Sequence, residues 1–172
     1  MTTKLDRIVQ LAKTQPKLAF TSLAHLLTVD FLMETWKQMN RRGAAGMDQE
    51  TTTAFEANLR QRCESLVQRA KAGQYRPLPV RRVEIPKGEG KTRPLGIPTV
   101  EDRLLQRAVA RLLETIYEQD FLPCSYGFRP GRSAHDALRE LRNQCMAGRV
   151  TTIFETDIRG FFDNLDHRWL MK

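Results

Sequence analysis

Residues 81–109 read RRVEIPKGEGKTRPLGIPTVEDRLLQRAV, and the hydrophobic period changes within this stretch. In its first part Val83 and Ile85 alternate with charged neighbours, KGEGK forms a turn, and residues 92–97 can return as the partner strand. This pattern predicts a β-hairpin with a strongly basic tip. The prolines in and beside the hairpin restrict its strands to short lengths or to a sheet edge, because proline cannot donate to the ladder.

The second part of this stretch predicts a long helix that begins after Thr99. Thr99 and Asp102 have the spacing of a capping box, with Asp in place of the usual Glu or Gln. Arg103, Arg107 and Arg111 recur at every fourth position on one face of the helix. The apolar stripe lies on a different face and comprises Leu104, Leu105, Ala108, Val109, Leu112, Leu113, Ile116 and Tyr117.

Further helices are predicted on both sides of this stretch. Apolar residues recur at helical spacing in residues 5–19, where Pro16 marks a break, and in residues 30–40 and 55–73, with a glycine-containing loop between the last two. After the long helix, Ser133 and Asp136 again have capping-box spacing at the start of a helix. We expect that helix to be buried through Ala134, Ala137, Leu138 and Leu141.

A second β element is predicted near the end of the sequence. The run VTTIFETDI, residues 150–158, is rich in β-branched residues and predicts a strand that carries Asp157 to its C-terminal end. The following RGFFDNLDH turns into a final helix. Helices combined with a hairpin and this strand predict an α+β fold.

The chain is strongly basic. Its 28 Lys+Arg against 20 Asp+Glu give a formal net charge of +8. Such an excess suits a polyanionic partner, because Lys and Arg release counterions from phosphates; on charge alone, an inert basic surface is the alternative. Cys63, Cys124 and Cys145 have neither disulfide-framework nor zinc-site spacing, which predicts a cytoplasmic protein. No apolar run is long enough to cross a bilayer.

Asp157 is a candidate metal ligand. A carboxylate at the end of a strand can hold a hard cation such as Mg²⁺, although a lone aspartate there is more often a cap for the next helix. Phe161 and Phe162 would ordinarily be core residues. Asp163 and Asp166 would serve the start of the last helix, where negative charge is favourable.

Two further segments suit nucleic acid or nucleotide. The hairpin collects the basic side chains of Arg81, Arg82, Lys87, Lys91 and Arg93. Its glycines let backbone amides approach a phosphate, and the alternative is a solvated hairpin tip. In the loop YGFRPGR, Tyr126 and Phe128 interleave with Arg129 and Arg132, a mixture that can stack on bases and bind phosphates. The alternative is an ordinary packed loop.

Several blocks in a fixed order resemble the reverse transcriptases of group II introns. They are FTSLAHLL, GMDQET, IPKGEGKTRPLGIPTVEDRLLQRAV, YGFRPGRSAHDAL and TDIRGFFDNLDH, and the similarity extends from about Phe20 to the C-terminus. The resemblance implies the fingers of a right-hand polymerase with an N-terminal helical extension and the beginning of the palm. The implied divisions are 1–52 for the extension with a template-closing loop, 53–148 for the fingers and 149–172 for the palm.

The resemblance also implies roles for individual residues. Asp157 matches the first metal-binding, catalytic aspartate, with the Ile158 carbonyl as a further ligand of Mg²⁺. Lys87 and Arg93 match residues that hold the triphosphate of the incoming nucleotide. Phe162, with Phe161 beside it, matches the position that selects deoxynucleotides. Strand alternation sends the two neighbours to opposite sides, and the family spacing implies that Phe162 faces the nucleotide and Phe161 is buried. The implied contacts with RNA or template are Arg82, Lys91, Arg103, Arg107, Arg111, Tyr126, Arg129 and Arg132.

The GMDQET loop departs from the family at one position, because Gln49 stands where the family more often has Gly. The family's aromatic-x-Asp-Asp block occurs nowhere in these residues. We therefore expect a fragment of a longer enzyme, inactive alone as a polymerase because two-metal phosphoryl transfer needs further carboxylates. Alternatives are a non-catalytic RNA-binding module and a bacterial reverse transcriptase outside introns, in defence or repair.

The partners that the resemblance implies are intron RNA, an RNA template with a DNA primer, and deoxynucleoside triphosphates. It further implies maturase activity in splicing and mobility, a bacterial cytoplasmic location, no membrane and a possible homodimer.

Overall fold

The structure is a computed structural model that describes residues 2–88, 90–148 and 150–171. Packing divides the chain into two compact units, the first ending at Phe121 and the second beginning at Leu122. Helices combined with a β-hairpin confirm the α+β class. The elements are α1 (Thr2–Thr14), a 3-10 turn (Ala24–Leu26), α2 (Val29–Gln38), α3 (Thr52–Glu56), α4 (Leu59–Lys71), β1 (Arg81–Gly88), β2 (Lys91–Ile97), α5 (Val100–Tyr117), α6 (Ala134–Met146), a second 3-10 turn (Phe162–Asn164) and α7 (His167–Leu170).

The first unit has its own hydrophobic core, with α5 at its centre. Helix α5 packs against α1, α2 and α3, and α2 packs against α4. Leu104, Ala108 and Leu112 of α5 are buried at the spacing of one helical face. Trp36 and Phe55 are both fully buried, and their ring centroids lie 5.3 Å apart. Burial of each large apolar side chain stabilises the fold by roughly 1.5–3 kcal/mol.

The apolar stripe predicted for α5 is wider than the face of the helix that is buried in the core. Val109, Leu113 and Tyr117 are exposed, so the prediction was wrong for this edge of the stripe. A helix presents only about 100° of its surface to one core, and the buried line through Leu104 already fills that arc.

The basic hairpin is confirmed. Strands β1 and β2 are antiparallel, with Val83 opposite Leu95 and Ile85 opposite Arg93. The register shifts between Pro86 and Gly88. Glu89, in the predicted KGEGK turn, lies outside the described residues. The two strands form a two-stranded sheet, so both are edge strands, where proline is tolerated.

Two predicted helices have different bounds in the structure. The first ends at Thr14 instead of residue 19, before Pro16. The helix predicted over residues 55–73 is instead divided into α3 and α4 around Asn58, whose backbone angles (φ −124°, ψ 34°) are not helical. Asparagine competes for backbone hydrogen bonds and favours such interruptions.

The second unit contradicts two predictions. The described residues 150–158 form no strand and are exposed, and α6 has no buried residue despite its apolar face. A strand needs a partner for its backbone groups, and no strand has been assigned to the described part of this unit. The capping box at Ser133 and Asp136 is nevertheless confirmed, because it is local: Ser133 N donates to Asp136 Oδ2 at 3.0 Å.

No helix in the described ranges has both the length and the apolar character that a bilayer crossing requires. The functional divisions predicted at 52/53 and 148/149 stay a prediction, since the structure divides the chain by packing alone.

Candidate nucleic-acid interface

The outer half of the hairpin exposes basic side chains. Lys87 and Arg93 are exposed, and within the described part of the chain neither has an ion-pair partner. Arg93 lies opposite Ile85 and therefore on the strand face of Ile85, whereas the register shift at Lys87 interrupts the alternation there. Two unpaired cations on one short hairpin can attract a polyphosphate.

The basic residues at the base of the hairpin have contacts within the chain. Arg82 Nε forms an ion pair with Glu84 Oε1 at 2.9 Å. Arg81 Nε donates to the carbonyl oxygen of Ala45 at 3.0 Å. The hairpin thus has two kinds of basic residue, since Arg81 and Arg82 are engaged in intrachain contacts, whereas Lys87 and Arg93 form no ion pair within the described residues.

Residues 41–51, which we call the strap, pack against the base of the hairpin and the start of α5. A Cβ on Gly46 would lie 2.7 Å from Thr99 Cα and 2.8 Å from Thr99 N, so only glycine allows this approach. A Cβ on Gly43 would overlap Nη1 of Arg103. At the end of the strap Thr52 Oγ1 donates to the carbonyl oxygen of Arg41 at 2.5 Å. The strap is therefore ordered against the first unit.

The strap has one strained position. Gln49 has φ 58°, which lies in the left-handed region of backbone conformation. Residues other than glycine and asparagine rarely adopt this conformation. Its N–H donates to the carbonyl oxygen of Gly46 at 3.4 Å, which closes the turn. Gln49 thus takes a glycine-like conformation at the position where the resembling family more often has glycine.

The first and last arginines of the α5 row contact other parts of the first unit, Arg103 at Gly43 and Arg111 at Thr35. Arg107 Nη1 pairs with Glu114 Oε1 at 2.7 Å, so this charge is partly neutralised. Two atoms of Arg103, Nε and Nη2, are inaccessible and have no hydrogen-bond partner among the described residues. The RNA contacts of these arginines stay a prediction.

Arg111, the last arginine of the row, lies against the core. Its Nη1 donates to Thr35 Oγ1 at 2.6 Å, and its guanidinium lies 4.6 Å from the ring centroid of Phe31. Burial lowers the pKa of Arg111 from its ordinary value. These contacts give Arg111 a structural role in addition to any contact with RNA.

An ionic network joins α4, α5 and the segment between α4 and β1. Arg69 Nη2 pairs with Glu101 Oε1 at 2.7 Å. The hydroxyl of Tyr75 donates to Oδ1 of Asp102, a buried carboxylate that also accepts from Thr99 Oγ1 at 3.1 Å. Burial and the hydrogen bond to Asp102 raise the pKa of Tyr75 well above its usual range. The network fixes the start of α5, against which the strap packs.

In the second unit the loop of residues 123–132 is organised by Arg129. Arg129 is only 9% exposed, and its Nη1 donates to the carbonyl oxygens of Leu122 at 2.9 Å and Ser125 at 2.7 Å. These bonds satisfy main-chain acceptors of the loop. The alternative of a packed loop therefore describes Arg129 well, and its contact with template stays a prediction.

The same loop presents one aromatic ring to solvent. Phe128 is fully exposed, with φ 56°. Tyr126 is instead covered by Arg132, whose guanidinium lies 5.2 Å from the ring centroid and whose Nη1 donates to the Pro123 carbonyl oxygen at 2.5 Å. Of the two aromatics, Phe128 is the ring available for stacking on a base.

Asp157 is exposed, and its Oδ1 accepts from the N–H of Ile158 at 2.9 Å. Asp166, not Asp157, is the N-cap of a helix. No three His, Cys, Asp or Glu side chains in the described ranges lie close enough together to hold a metal ion. Asp157 stays a predicted ligand of Mg²⁺, an ion that proteins often bind through only one or two carboxylates with water in the other positions.

Phe161 and Phe162 contact each other in an edge-to-face arrangement, with ring centroids 5.2 Å apart. Phe162 is 82% exposed and Phe161 46% exposed. The prediction that Phe161 is buried was therefore wrong for the described structure, because the second unit supplies no layer to cover the ring. The greater exposure of Phe162 agrees with the role predicted for it, which stays a prediction.

The residues that hold the strap, Gly43 and Gly46, were not predicted as such from the sequence. Gly43 and Gly46 have no positive φ, so they serve close approach and not turn conformation. The spacing of two glycines in an irregular loop was the available signal, but the surfaces they approach are distant in sequence. Tyr75 was missed for the same reason, since Asp102 lies 27 positions away.

Comparison with known proteins gives one family match and several relatives. Residues 85–172, just over half of the chain, match the model of the family described as reverse transcriptase (RNA-dependent DNA polymerase). The chain is 41% identical over 168 residues to protein YkfC of Escherichia coli K12. This alignment covers 94% of this chain and 44% of YkfC.

Two further relatives are intron proteins by name. The chain is 38% identical over 168 residues to the group II intron-encoded protein LtrA of Lactococcus lactis, covering 95% of this chain and 27% of LtrA. It is 48% identical over 42 residues to nuclear intron maturase 2 of Arabidopsis thaliana, covering 24% of this chain and 6% of the maturase. The chain thus spans less than half the length of these relatives.

Proposed function

This chain belongs to the reverse transcriptase family, and we propose that it is the template- and nucleotide-binding N-terminal part of a group II intron-type RNA-directed DNA polymerase. The observation that carries the proposal is the hairpin β1–β2, whose exposed Lys87 and Arg93 lie inside the family match. In this proposal the hairpin belongs to the fingers and residues 149–172 to the palm. The likeness to LtrA over 95% of the chain supports the intron type.

The proposed ligands follow from the exposed groups. Lys87 and Arg93 bind the triphosphate of a deoxynucleotide, because both are exposed cations without an ion-pair partner in the described part of the chain. Arg82, Lys91 and the loop with Phe128 bind template and intron RNA. The partners are thus intron RNA and an RNA template with its DNA primer, in the bacterial cytoplasm; a homodimer is compatible with these roles.

Catalysis is proposed for the complete enzyme. Asp157, with the Ile158 carbonyl, contributes one carboxylate to a Mg²⁺ site whose remaining carboxylates come from residues outside this sequence. The 172-residue chain alone should therefore not extend a primer. In a polymerase-length protein, Asp157→Asn should abolish extension and preserve primer–template binding, because the amide keeps the shape of the side chain and removes its charge.

Sugar selection is proposed for Phe162. In a polymerase-length protein Phe162→Ala should raise ribonucleotide use relative to deoxynucleotide use about tenfold, equivalent to ~1.4 kcal/mol. Single-nucleotide incorporation with matched dNTP and rNTP measures this ratio, and Phe161→Ala is the matched control. If Phe161→Ala relaxes the choice and Phe162→Ala does not, the two rings are assigned the wrong way round.

A salt titration of RNA binding tests the central proposal on the 172-residue chain itself. The affinity for structured RNA should fall steeply between ~50 and ~200 mM salt, because each phosphate contact releases counterions. Fluorescence anisotropy with a labelled RNA hairpin measures it. No binding at low salt, or an affinity that does not change with salt, would contradict the proposal.

The fully exposed ring of Phe128, which can stack on a base without any catalytic site, favours one second candidate, an RNA-binding protein without polymerase activity. This candidate predicts the same salt-dependent binding of RNA, but it predicts no primer extension by any longer form of the protein. Primer extension by a polymerase-length form distinguishes the two.

A further inference from the structure

Arg103 is partly buried beneath the strap, which encloses two of the three nitrogens of its guanidinium. Its Nε and Nη2 are inaccessible to solvent and have no hydrogen-bond partner in the described part of the chain. Burying a charged donor without a partner is unfavourable, and proteins normally supply a carboxylate or a carbonyl oxygen. Arg103 receives neither from the described residues.

The other arginines around it show that the first unit does supply partners. Five arginines of this unit form ion pairs with glutamates: Arg41 with Glu56, Arg62 with Glu50, Arg69 with Glu101, Arg82 with Glu84 and Arg107 with Glu114. Arg107 lies one turn after Arg103 on the same helix. Arg81 and Arg111 form no ion pair but donate to the Ala45 carbonyl oxygen and to Thr35 Oγ1, whereas the enclosed Nε and Nη2 of Arg103 have no acceptor among the described residues. Gly43 lies so close that an anion can reach these atoms only when the strap moves.

The strap is what covers Arg103. Gly43 lies so close to the guanidinium that a Cβ would overlap Nη1 and would lie 3.2 Å from Cζ. The polar contacts that hold the strap are made by side chains: Arg81 Nε donates to the Ala45 carbonyl oxygen, Arg41 pairs with Glu56, and Glu50 pairs with Arg62. A segment held this way can separate from α5 without breaking a backbone ladder.

We propose that the strap withholds Arg103 in the unbound chain and that Arg103 binds a nucleic-acid phosphate when the strap lifts. The inference rests on the proposed function, since it assumes a polyanionic strand at this surface. The lifted state exchanges two enclosed nitrogens without an acceptor among the described residues for a charge-assisted hydrogen bond to phosphate. Binding of the strand and lifting of the strap are then coupled, because the phosphate interacts with only one of the two states.

Gly43→Ala tests the coupling directly. The new Cβ displaces the end of a flexible side chain, and because Nε and Nη2 are already enclosed, either the guanidinium leaves or the strap lifts. Both responses uncover the charge. We expect Gly43→Ala to raise the affinity for a labelled single-stranded RNA by about three- to tenfold, the range of one phosphate contact over a moderate change of salt.

A double-mutant cycle supplies the decisive comparison. Arg103→Gln should lower the affinity and reduce the slope of log K against log salt by about 0.7, the value for one phosphate of a single strand. Gly43→Ala combined with Arg103→Gln should bind no better than Arg103→Gln alone, because the gain depends on the guanidinium. Hydrogen exchange of residues 41–51 should become faster in Gly43→Ala, and melting of each variant checks that it is folded.

The outcomes separate this inference from the proposed function. If the wild-type chain shows no salt-dependent RNA binding, the proposed function fails. A second set of results is that the wild-type chain binds RNA while Gly43→Ala lowers the affinity, leaves it unchanged or raises it equally in the Arg103→Gln background. Any of these three results contradicts the proposal that the strap withholds Arg103, and Arg103 then only supports the strap.

Discussion

Arg111 on α5 donates a hydrogen bond of 2.6 Å to the hydroxyl of Thr35 on α2, and this bond connects two helices of the first unit. Thr35 is fully buried, and its hydroxyl in turn donates to the carbonyl oxygen of Phe31 at 2.7 Å. The chain Arg111–Thr35–Phe31 satisfies a buried hydroxyl as both acceptor and donor. A charged residue that periodicity assigns to the surface is thus part of the core contact.

Replacement of Arg111 should therefore lower stability. Arg111→Ala removes a hydrogen bond from a charged donor and the contact with the Phe31 ring. We therefore expect the free energy of unfolding to fall by ~2–3 kcal/mol. Urea denaturation measures the change. The matched control is Arg60→Ala, an exposed arginine of α4, for which a change of less than ~0.5 kcal/mol is expected. Equal effects of the two substitutions would contradict the structural role.

Replacement of Gln49 by glycine should raise the free energy of unfolding. Its left-handed backbone (φ 58°) costs a residue with a Cβ about 1–2 kcal/mol, which exceeds the ~0.5–1 kcal/mol entropy cost of glycine. Gln49→Gly should therefore stabilise the chain by ~0.5–1 kcal/mol in urea denaturation. Ala44→Gly in the same strap is the control and should destabilise, because Ala44 has no positive φ to relieve. The expectation is wrong if both substitutions destabilise.

The elements predicted from the sequence are those whose causes are local. The hairpin follows from alternation around Val83 and Ile85, and the start of α5 follows from Thr99, whose side chain accepts from Asp102 N at 3.1 Å. Both patterns act over a few residues, so they can be recognised without the tertiary structure.

The features that were predicted wrongly depend on partners far away in the sequence. A strand over residues 150–158 needs a second strand, and the burial of Phe161 needs a covering layer; neither is present in the described part of the second unit. In the candidate site, the exposure of Lys87 and Arg93 agrees with the prediction. The burial of Arg103 beneath Gly43 could not be predicted, because close approach between two distant segments leaves no periodic signal.

Cys63 and Cys124 should react with thiol reagents at very different rates. Cys63 is fully buried, and burial raises its pKa to about 11, whereas Cys124 is exposed. At pH 8 only about one Cys63 in a thousand is a thiolate, and the thiolate is the reactive form. We expect iodoacetamide to label Cys124 first and Cys63 only after unfolding, as measured by peptide mass spectrometry. Labelling of native Cys63 as fast as Cys124 would contradict its burial.

The bond between Tyr75 and Asp102 should make stability depend on alkaline pH. The pKa of Tyr75 is raised in the folded state above the ordinary value near 10, so its contribution is complete below pH ~10 and is lost as pH rises above that value. The wild-type unfolding free energy should fall between pH 9 and 11 more steeply than that of Tyr75→Phe, by at most ~1.4 kcal/mol per pH unit. Parallel curves for the two proteins would show that Tyr75 ionises equally in both states.

At neutral pH, Tyr75→Phe should itself destabilise the chain by ~1–3 kcal/mol, since it removes a partner from the buried carboxylate of Asp102. The effect on RNA binding should be small, because Tyr75 makes no contact with the exposed cations of the hairpin. Urea denaturation at pH 7 and the RNA titration on the same sample measure the two quantities.

The last prediction concerns the triphosphate contacts of the hairpin. Lys87 and Arg93 are exposed and, among the described residues, without an ion-pair partner, so both can approach a polyanion without first breaking an internal contact. Arg93→Gln and Lys87→Gln should each weaken binding of a fluorescent dNTP by about ten- to a hundredfold, because a charge-assisted contact with phosphate contributes about 1.5–3 kcal/mol.

Arg60→Gln removes the same charge from an exposed site outside the hairpin and the strap, so it controls for general electrostatics. Fluorescence polarisation at low salt, with inorganic triphosphate as competitor, measures all three variants against the wild type. Arg93 should have the larger effect of the two hairpin residues, because its strand pairing with Ile85 fixes its direction, whereas the register shift beside Lys87 leaves that side chain less constrained. If Arg60→Gln weakens binding as much as Arg93→Gln, the hairpin acts through net charge alone and does not form a specific triphosphate site.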